Sequence, residues 1–146
     1  MIYIGIDTGV NTGVAIWDNK QRTFLLVQTM KIHEAMKIVQ KYIDLQKSGD
    51  GSKVVVRVED PRLRTWFGTE KQSREVERKR LQGVGSVKRD AHIWDDYLKD
   101  LGVEYEMVAP KRNITKITSD IFKNITGWMK PTNEHNRDAG MLVYGF

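Results

Sequence analysis

The chain contains no cysteine and no long run of apolar side chains. Without cysteine it has no disulfide framework, which is typical of proteins in a reducing compartment. The first apolar stretch is brief and meets Asp7 at once, so it lacks the basic start and the length of a signal peptide. No stretch is long enough for a membrane span. These absences predict a soluble, cytoplasmic protein with no membrane partner.

Internal repeats, low-complexity tracts and linker-like stretches are also missing from the 146 residues. That length fits one domain with a substantial core. Apolar residues make up 40% of the chain and charged residues 29%, which is the balance of an ordinary globular protein and excludes a disordered segment. We therefore expect a single domain over residues 1–146.

Acidic residues are scarce in residues 62–89, which we call the basic segment. It holds nine basic and three acidic residues, whereas the whole chain has a net charge of +5. Basicity concentrated in one segment is typical of a surface that follows phosphates, although a solvated helix face would have the same composition. Trp66 and Phe67 favour the phosphate-binding surface, because aromatic side chains among basic residues can stack on or wedge between nucleobases. The basic residues of this segment that are candidates for DNA binding are Arg62, Arg64, Arg74, Arg78, Lys79, Arg80, Lys88 and Arg89.

The hydrophobic periodicity predicts an α/β fold. Residues 2–7, 13–17 and 22–29 have strand patterns separated by turn compositions, which indicates a three-strand meander. Helical spacing follows from 32 to about 47, and a valine-rich strand covers 53–59. A strand, helix and strand in one sheet form a right-handed parallel crossover. The remaining predicted elements are a helix over 86–100, a strand over 104–108, a weaker helix over 114–125 and a last helix from 133 capped by Thr132.

Acidic residues stand where two of these strands stop. Asp7 ends the first strand and Glu59 the fourth, and the predicted topology brings both to the carboxyl edge of the sheet, where open α/β sheets bind ligands. Asp138 lies in the last helix, where Glu134 and His135 share its face. Clustered carboxylates repel one another unless a cation binds them, and oxygen ligands suit Mg²⁺ or Mn²⁺. We therefore expect a metal site in which either Glu134 or His135 is a fourth metal ligand or a proton carrier.

Further basic residues could contact a phosphate at the carboxyl edge of the sheet. Lys111, Arg112 and Lys116 follow the fifth strand. Lys88 and Arg89 are predicted in the first turn of their helix, behind two glycines, where free backbone amides also attract phosphate. A solvated helix start is an equally good interpretation of Lys111, Arg112 and Lys116, and two glycines with this spacing are weak evidence for a phosphate site by themselves.

With these features in place, the chain resembles the RuvC-type Holliday junction resolvases of the RNase H-like superfamily over nearly its whole length. Three motifs carry the resemblance: Ile4-Gly5-Ile6-Asp7-Thr8-Gly9 with Thr12-Gly13-Val14-Ala15, Val58-Glu59, and His135-Asn136-Arg137-Asp138-Ala139. Two features depart from the family pattern. Thr8 replaces a usual proline, and the insert with Trp66 and Phe67 stands where the family places an aromatic residue three positions after Glu59.

The resemblance implies an RNase H-like five-stranded mixed sheet, a three-strand meander followed by parallel strands, flanked by helices. It also implies a homodimeric, Mg²⁺-dependent endonuclease of DNA recombination and repair, which cuts branched four-way DNA junctions to 5′-phosphate and 3′-hydroxyl ends. Mn²⁺ is expected to replace Mg²⁺. The implied catalytic residues are Asp7, Glu59, His135, Asp138 and Lys116, of which all but Lys116 hold the metal. The helix over 86–100, with Trp94 and Leu98 on its apolar face, is the candidate dimer contact, although a core-facing helix would show the same apolar stripe.

Other classes of protein explain fewer of these features. Asp7-Thr8-Gly9 is also the signature of retroviral-type aspartic proteases, which leaves Glu59, Asp138 and the basic segment without a role. An actin-like ATPase shares the Asp-x-Gly hairpin but needs two such domains. A non-catalytic DNA-binding module needs only the basic segment, and an RNase H-like nuclease acting on hybrids or other branched DNA needs the same acids.

Overall fold

The computed structural model describes residues 1–64, 74–111 and 116–146. The strands are β1 Ile2–Asp7, β2 Asn11–Asp18, β3 Thr23–Lys31, β4 Val54–Glu59 and β5 Glu104–Val108. The helices are α1 Ile32–Ser48, α2 Arg74–Leu101, α3 Ser119–Thr126 and α4 Glu134–Val143, and a short 3-10 helix covers Pro61–Leu63. In the described part of the chain, no helix is long and apolar enough to cross a membrane.

The five strands form one sheet in the order β3-β2-β1-β4-β5. The strands β1, β2 and β3 are an antiparallel meander, while β4 pairs parallel to β1 and β5 parallel to β4. This order and these directions are those of the RNase H-like fold, so the predicted fold class is confirmed. The crossover through α1 places the ends of β1 and β4 at the same edge of the sheet.

Alternation along the strands divides the core into two layers. On one face, β1 and β4 present Ile and Val side chains to α1 and α2, and these buried residues are Ile2, Ile4, Ile6, Val54, Val56 and Val58. On the other face, Ala15, Trp17 and Phe24 pack against Ala139 and Phe122 of the two C-terminal helices. Because side chains alternate, Asp7 and Glu59 belong to the face that α4 covers.

Helix α4 lies directly on the β1–β2 hairpin because glycines let it approach. A Cβ atom added at Gly5 would overlap the Ala139 carbonyl, and one added at Gly13 would overlap the His135 carbonyl. Both overlaps are with backbone, so neither can be relieved by turning a side chain. The two glycines therefore fix the height of α4 above the sheet.

Three of the predicted boundaries are wrong. Helix α2 begins at Arg74, not at 86, so Gly83 and Gly85 lie inside it and Lys88 and Arg89 are not in its first turn. The residues before Lys88 and Arg89 are helical, so they offer no free backbone amides to a phosphate. Asn133 caps α4 in place of Thr132, because its side chain accepts a hydrogen bond from the Asn136 amide. Helix α3 begins at Ser119, and residues 112–115 of the predicted helix lie outside the described residues.

The predicted dimer contact through Trp94 and Leu98 is also wrong. Both side chains are fully buried and pack in the core beneath the sheet. Their apolar periodicity is that of an inward helix face, which cannot be distinguished from an interface by spacing alone.

We predict that Gly13→Ala lowers the free energy of unfolding by about 3 kcal/mol or more, the upper range of overpacking effects, because the new methyl group meets the α4 backbone. Chemical denaturation measures the change. Gly83→Ala is the matched control: it lies inside α2 with nothing within 4 Å of the added Cβ, and should raise stability by up to about 1 kcal/mol. Equal effects at the two positions would contradict the packing.

Candidate functional site

Asp7 and Glu59 lie side by side at the carboxyl ends of β1 and β4. The parallel register pairs Ile6 with Val58, so the residues that follow each of them are neighbours. Their carboxyl groups are within hydrogen-bonding reach of each other. The Thr8 hydroxyl donates to the Glu59 carbonyl over 3.3 Å and ties the hairpin turn to β4. The predicted meeting of these two acids at one edge is thus what the fold produces.

Helix α4 supplies the remaining members of the site. The Nδ1 atom of His135 lies 3.0 Å from Oδ2 of Asp7. Asp138 is one helical turn further along, close enough that its charge raises the pKa of both Asp7 and Glu59. The capping of α4 by Asn133 begins the helix immediately before these residues. The α4 backbone seated on Gly13 therefore sets the position of His135 over Asp7.

Lys116 approaches from the chain that follows β5. Its ammonium lies 3.0 Å from Oε2 of Glu134 and 3.2 Å from Oδ2 of Asp138. Burial would lower the pKa of Lys116, but Glu134 and Asp138 together raise it above its ordinary value. Glu134 thus faces Lys116 while His135 faces Asp7, which distinguishes the two candidates for the fourth position.

The acids perturb one another strongly. Burial raises the pKa of Glu59 to about 7, and the nearby charges of Asp7 and Asp138 add to that effect. Burial also raises the pKa of Asp7, although its hydrogen bond with His135 opposes the rise. Burial and neighbouring negative charge both disfavour the ionised form of a carboxylate. Groups with perturbed pKa values cluster at functional sites.

The donor set fits a hard divalent cation. Three carboxylates and one imidazole nitrogen come from β1, β4 and α4, and oxygen donors suit Mg²⁺ or Mn²⁺. Within the described residues, no three His, Asp or Glu side chains are already arranged as a metal cage. Asp7 is engaged by His135, and Asp138 by the Lys116 ammonium. A bound ion would take over the charge compensation that these two side chains now supply in part.

A cleft of about 290 Å³ opens beside Glu59 and Asp138. Lys111, Lys116 and Arg64 line it, so three of the predicted phosphate-binding residues lie next to the acids. Ile117, which also lines the cleft, is tied to α4, because the Nε of Arg137 donates to the Ile117 carbonyl over 2.8 Å. Arg137 belongs to the α4 motif, but nothing in its spacing indicated this role.

Arg62 makes contacts that the basic composition did not suggest. It donates to both carboxylate oxygens of Asp60 and to Oδ2 of Asp95 on α2, at distances of 2.7–3.2 Å. Asp60 is 1% exposed. A phosphate would have to compete with these two carboxylates for the guanidinium. We call this arrangement the Arg62 clamp; the Asp-Pro that follows Glu59 was the only sign of it in the sequence.

The other predicted DNA-binding residues are described unevenly. Arg78, Lys88 and Arg89 are exposed on α2. Outside the described residues lie Trp66, Phe67 and Arg112, together with the side chains of Arg74, Lys79 and Arg80.

Comparison with known proteins found no match among protein families and none among curated proteins. Among solved structures, the chain is similar to a crystal structure of Fowlpox virus resolvase in complex with its substrate Holliday junction DNA. The two are 12% identical, the match covers 97% of this chain and 93% of that one, and the TM-score is 0.41. A similarity of this size establishes neither a shared family nor a shared activity.

We predict that the metal-free protein loses stability as the pH rises from about 4.5 to about 7. The folded state keeps a proton on Glu59 up to a pKa of about 7, whereas the ordinary value is 4.5, so unfolding releases that proton across this window. The raised pKa of Asp7 acts in the same direction. Allowing for partial exposure, the loss is roughly 1–3 kcal/mol. Denaturant unfolding in EDTA at pH 5 and pH 8 measures it.

Glu59→Gln should remove most of this pH dependence. Glu134→Gln is the control, because Lys116 lowers the pKa of Glu134, and its contribution is lost as the pH falls. An unchanged slope in Glu59→Gln would show that the Glu59 carboxyl is not perturbed.

Proposed function

We propose that the protein is a structure-selective endonuclease that cuts four-way DNA junctions by metal-dependent phosphodiester hydrolysis, leaving 5′-phosphate and 3′-hydroxyl ends. Such an enzyme would act in DNA recombination and repair. The observation that carries the proposal is the convergence of Asp7, Glu59 and Asp138 at the carboxyl edge of the sheet. Burial and the neighbouring acids raise the pKa of Asp7 and Glu59, a cost for which the fold reveals no structural purpose.

The site residues have separate tasks in this proposal. Asp7, Glu59, Asp138 and a ring nitrogen of His135 hold Mg²⁺, which Mn²⁺ can replace. A divalent metal held there would supply activation of the attacking water and stabilisation of the leaving 3′ oxygen. Lys116, already at the edge of the cluster, offsets negative charge on the scissile phosphate. Burial of Asp7 strengthens each of these electrostatic interactions.

The basic segment supplies affinity for the DNA backbone. Arg78, Lys88 and Arg89 are exposed along α2. Arg89 lies 4.0 Å from the buried Asp90 carboxylate, a looser contact than the one between Arg62 and Asp60. Phosphate contacts of this kind depend on salt but not on sequence. Trp66 and Phe67 are the proposed stacking residues, since the unstacked bases of a crossover are what an aromatic side chain can contact.

The retroviral-type aspartic protease is disfavoured by the partners of Asp7. That enzyme class pairs the Asp of one Asp-Thr-Gly loop with its copy in a second subunit, whereas Asp7 interacts with Glu59 and His135 of its own chain. A nuclease acting on RNA–DNA hybrids would use the same fold and acids. Only substrate tests separate it from a junction enzyme, because the two differ in what binds outside the acid cluster.

We predict that Asp7→Asn, Glu59→Gln and Asp138→Asn each lower junction cleavage at least 100-fold while leaving junction binding nearly unchanged. Each substitution removes a charged ligand that transition-state stabilisation requires. Cleavage of a labelled four-way junction in Mg²⁺ and gel-shift binding measure the two effects.

Glu134→Gln is the matched control, because it neutralises a neighbouring acid that faces Lys116 and not Asp7. It should keep cleavage within about fivefold of wild type, whereas His135→Ala should lose most of the activity. A folded Asp7→Asn protein that cuts at the wild-type rate would refute the site. If Glu134→Gln lost most of its cleavage activity and His135→Ala cleaved normally, the fourth residue of the metal site would be Glu134.

We further predict a homodimer in solution. A four-way junction has two-fold symmetry and needs cuts on two opposed strands, while one chain carries one acid cluster, so a second copy matches the substrate. Analytical ultracentrifugation measures the mass, and a junction labelled on both strands reveals paired, symmetric nicks that DNA ligase reseals. A monomer that prefers RNA in RNA–DNA hybrids would contradict the junction assignment and leave the acid site intact.

A further inference from the structure

The cleft beside the acids has an apolar lining that phosphate binding does not require. Its apolar residues are Ala109, Pro110, Ile117, Met141 and Leu142. They come from the chain after β5 and from α4, and the two walls are tied together by the Arg137 hydrogen bond to the Ile117 carbonyl. A volume of about 290 Å³ is close to the lower limit for pockets that hold small organic ligands. A phosphate alone would fill only part of such a space and would gain nothing from these walls.

The cleft is continuous with the candidate catalytic site. Glu59 and Asp138 form one end of it. On α4, Met141 and Leu142 stand three and four residues after Asp138, so all three lie on the same helix face. A ligand that enters the cleft can therefore be bonded directly to a group that lies at the acids.

The charges around the cleft match a nucleotide. Lys111 and Lys116 stand on its rim, and the Lys111 side chain is exposed. An apolar lining with cations at the rim suits a planar base that carries a phosphate at one side. An acidic peptide would suit the lysines but not the walls, and a lipid chain would suit the walls but not the two acids.

We propose that this cleft is a subsite for one unstacked nucleobase, next to the phosphate that is cut; the inference rests on the proposed junction-cutting function. The base leaves its stack and lies against Ala109, Ile117 and Met141, while Lys111 and Lys116 hold the adjoining phosphate. Extruding a base costs least where it is already weakly held, and at a crossover the continuous stack of the duplex is interrupted. The cleft thereby adds selectivity for branched DNA, in which such bases are available.

The experiment places 2-aminopurine, whose fluorescence rises on unstacking, at successive positions beside the crossover. It is read in Asp7→Asn protein with Mg²⁺ so that binding is observed without cleavage. None of the described lining residues is aromatic, so a base in the cleft stays bright. Two further variants in the same background test the cleft. Ala109→Leu fills it from an exposed position, and Met141→Ser removes part of its apolar wall. Met129→Ser is the control for the second, because Met129 is 71% exposed and does not line the cleft.

We expect one position to brighten on binding of the Asp7→Asn protein and of its Met129→Ser derivative, and to stay dim with Ala109→Leu and Met141→Ser. In the wild-type background, the same two variants should reduce the preference for junction over duplex roughly tenfold, as loss of one base contact would. Melting temperatures identify a variant that fails to fold, and Ala109→Leu keeps the test valid if Met141→Ser does.

Two outcomes overturn the subsite alone. Brightening that survives both cleft variants places the unstacked base elsewhere, and no brightening at any position means that no base unstacks. In each case wild-type protein that still cuts junctions leaves the proposed function standing. A wild-type protein that neither binds nor cuts branched DNA overturns the proposed function, and with it the subsite.

Discussion

The close contact between α4 and the β1–β2 hairpin is the constraint on which the candidate site depends. Gly5 and Gly13 leave no space for any side chain beneath Ala139 and His135. The helix backbone therefore rests on the sheet backbone, and its distance from Asp7 does not depend on how side chains pack. Catalytic groups need positions held to fractions of an ångström, and a contact between two backbones is the stiffest support that a small domain offers.

The same contact creates an electrostatic problem. It presses Asp138 toward two acids that the parallel register of β1 and β4 has already brought together. This repulsion is partly relieved by two contacts, one between His135 and Asp7 and one between Lys116 and Asp138. Both side chains lie at the edge of the cluster and are partly exposed, 40% for His135 and 59% for Lys116. An arrangement that served stability alone would pair the acids with an arginine, as Arg62 pairs with the buried Asp60.

The sequence allowed the sheet and the acid cluster to be predicted because both follow from local patterns. The β-strand alternation determines which face Asp7 and Glu59 share, and the crossover rule determines that their strand ends coincide. The start of α2 was missed because Gly83 and Gly85 suggested a break, yet glycine in a helix costs only about 1 kcal/mol. The contact of Arg62 with Asp95 was not predicted, because the two residues are 33 positions apart and no local pattern marks such a pair.

The Arg62 clamp has a consequence for how the chain can vary. It joins the residues just after β4 to the middle of α2, because one guanidinium contacts both Asp60 and Asp95. None of these three side chains belongs to residues 65–73. Substitutions within 65–73, Trp66 and Phe67 included, therefore leave the three members of the clamp unchanged, and the sequence there can vary without removing this tie next to Glu59.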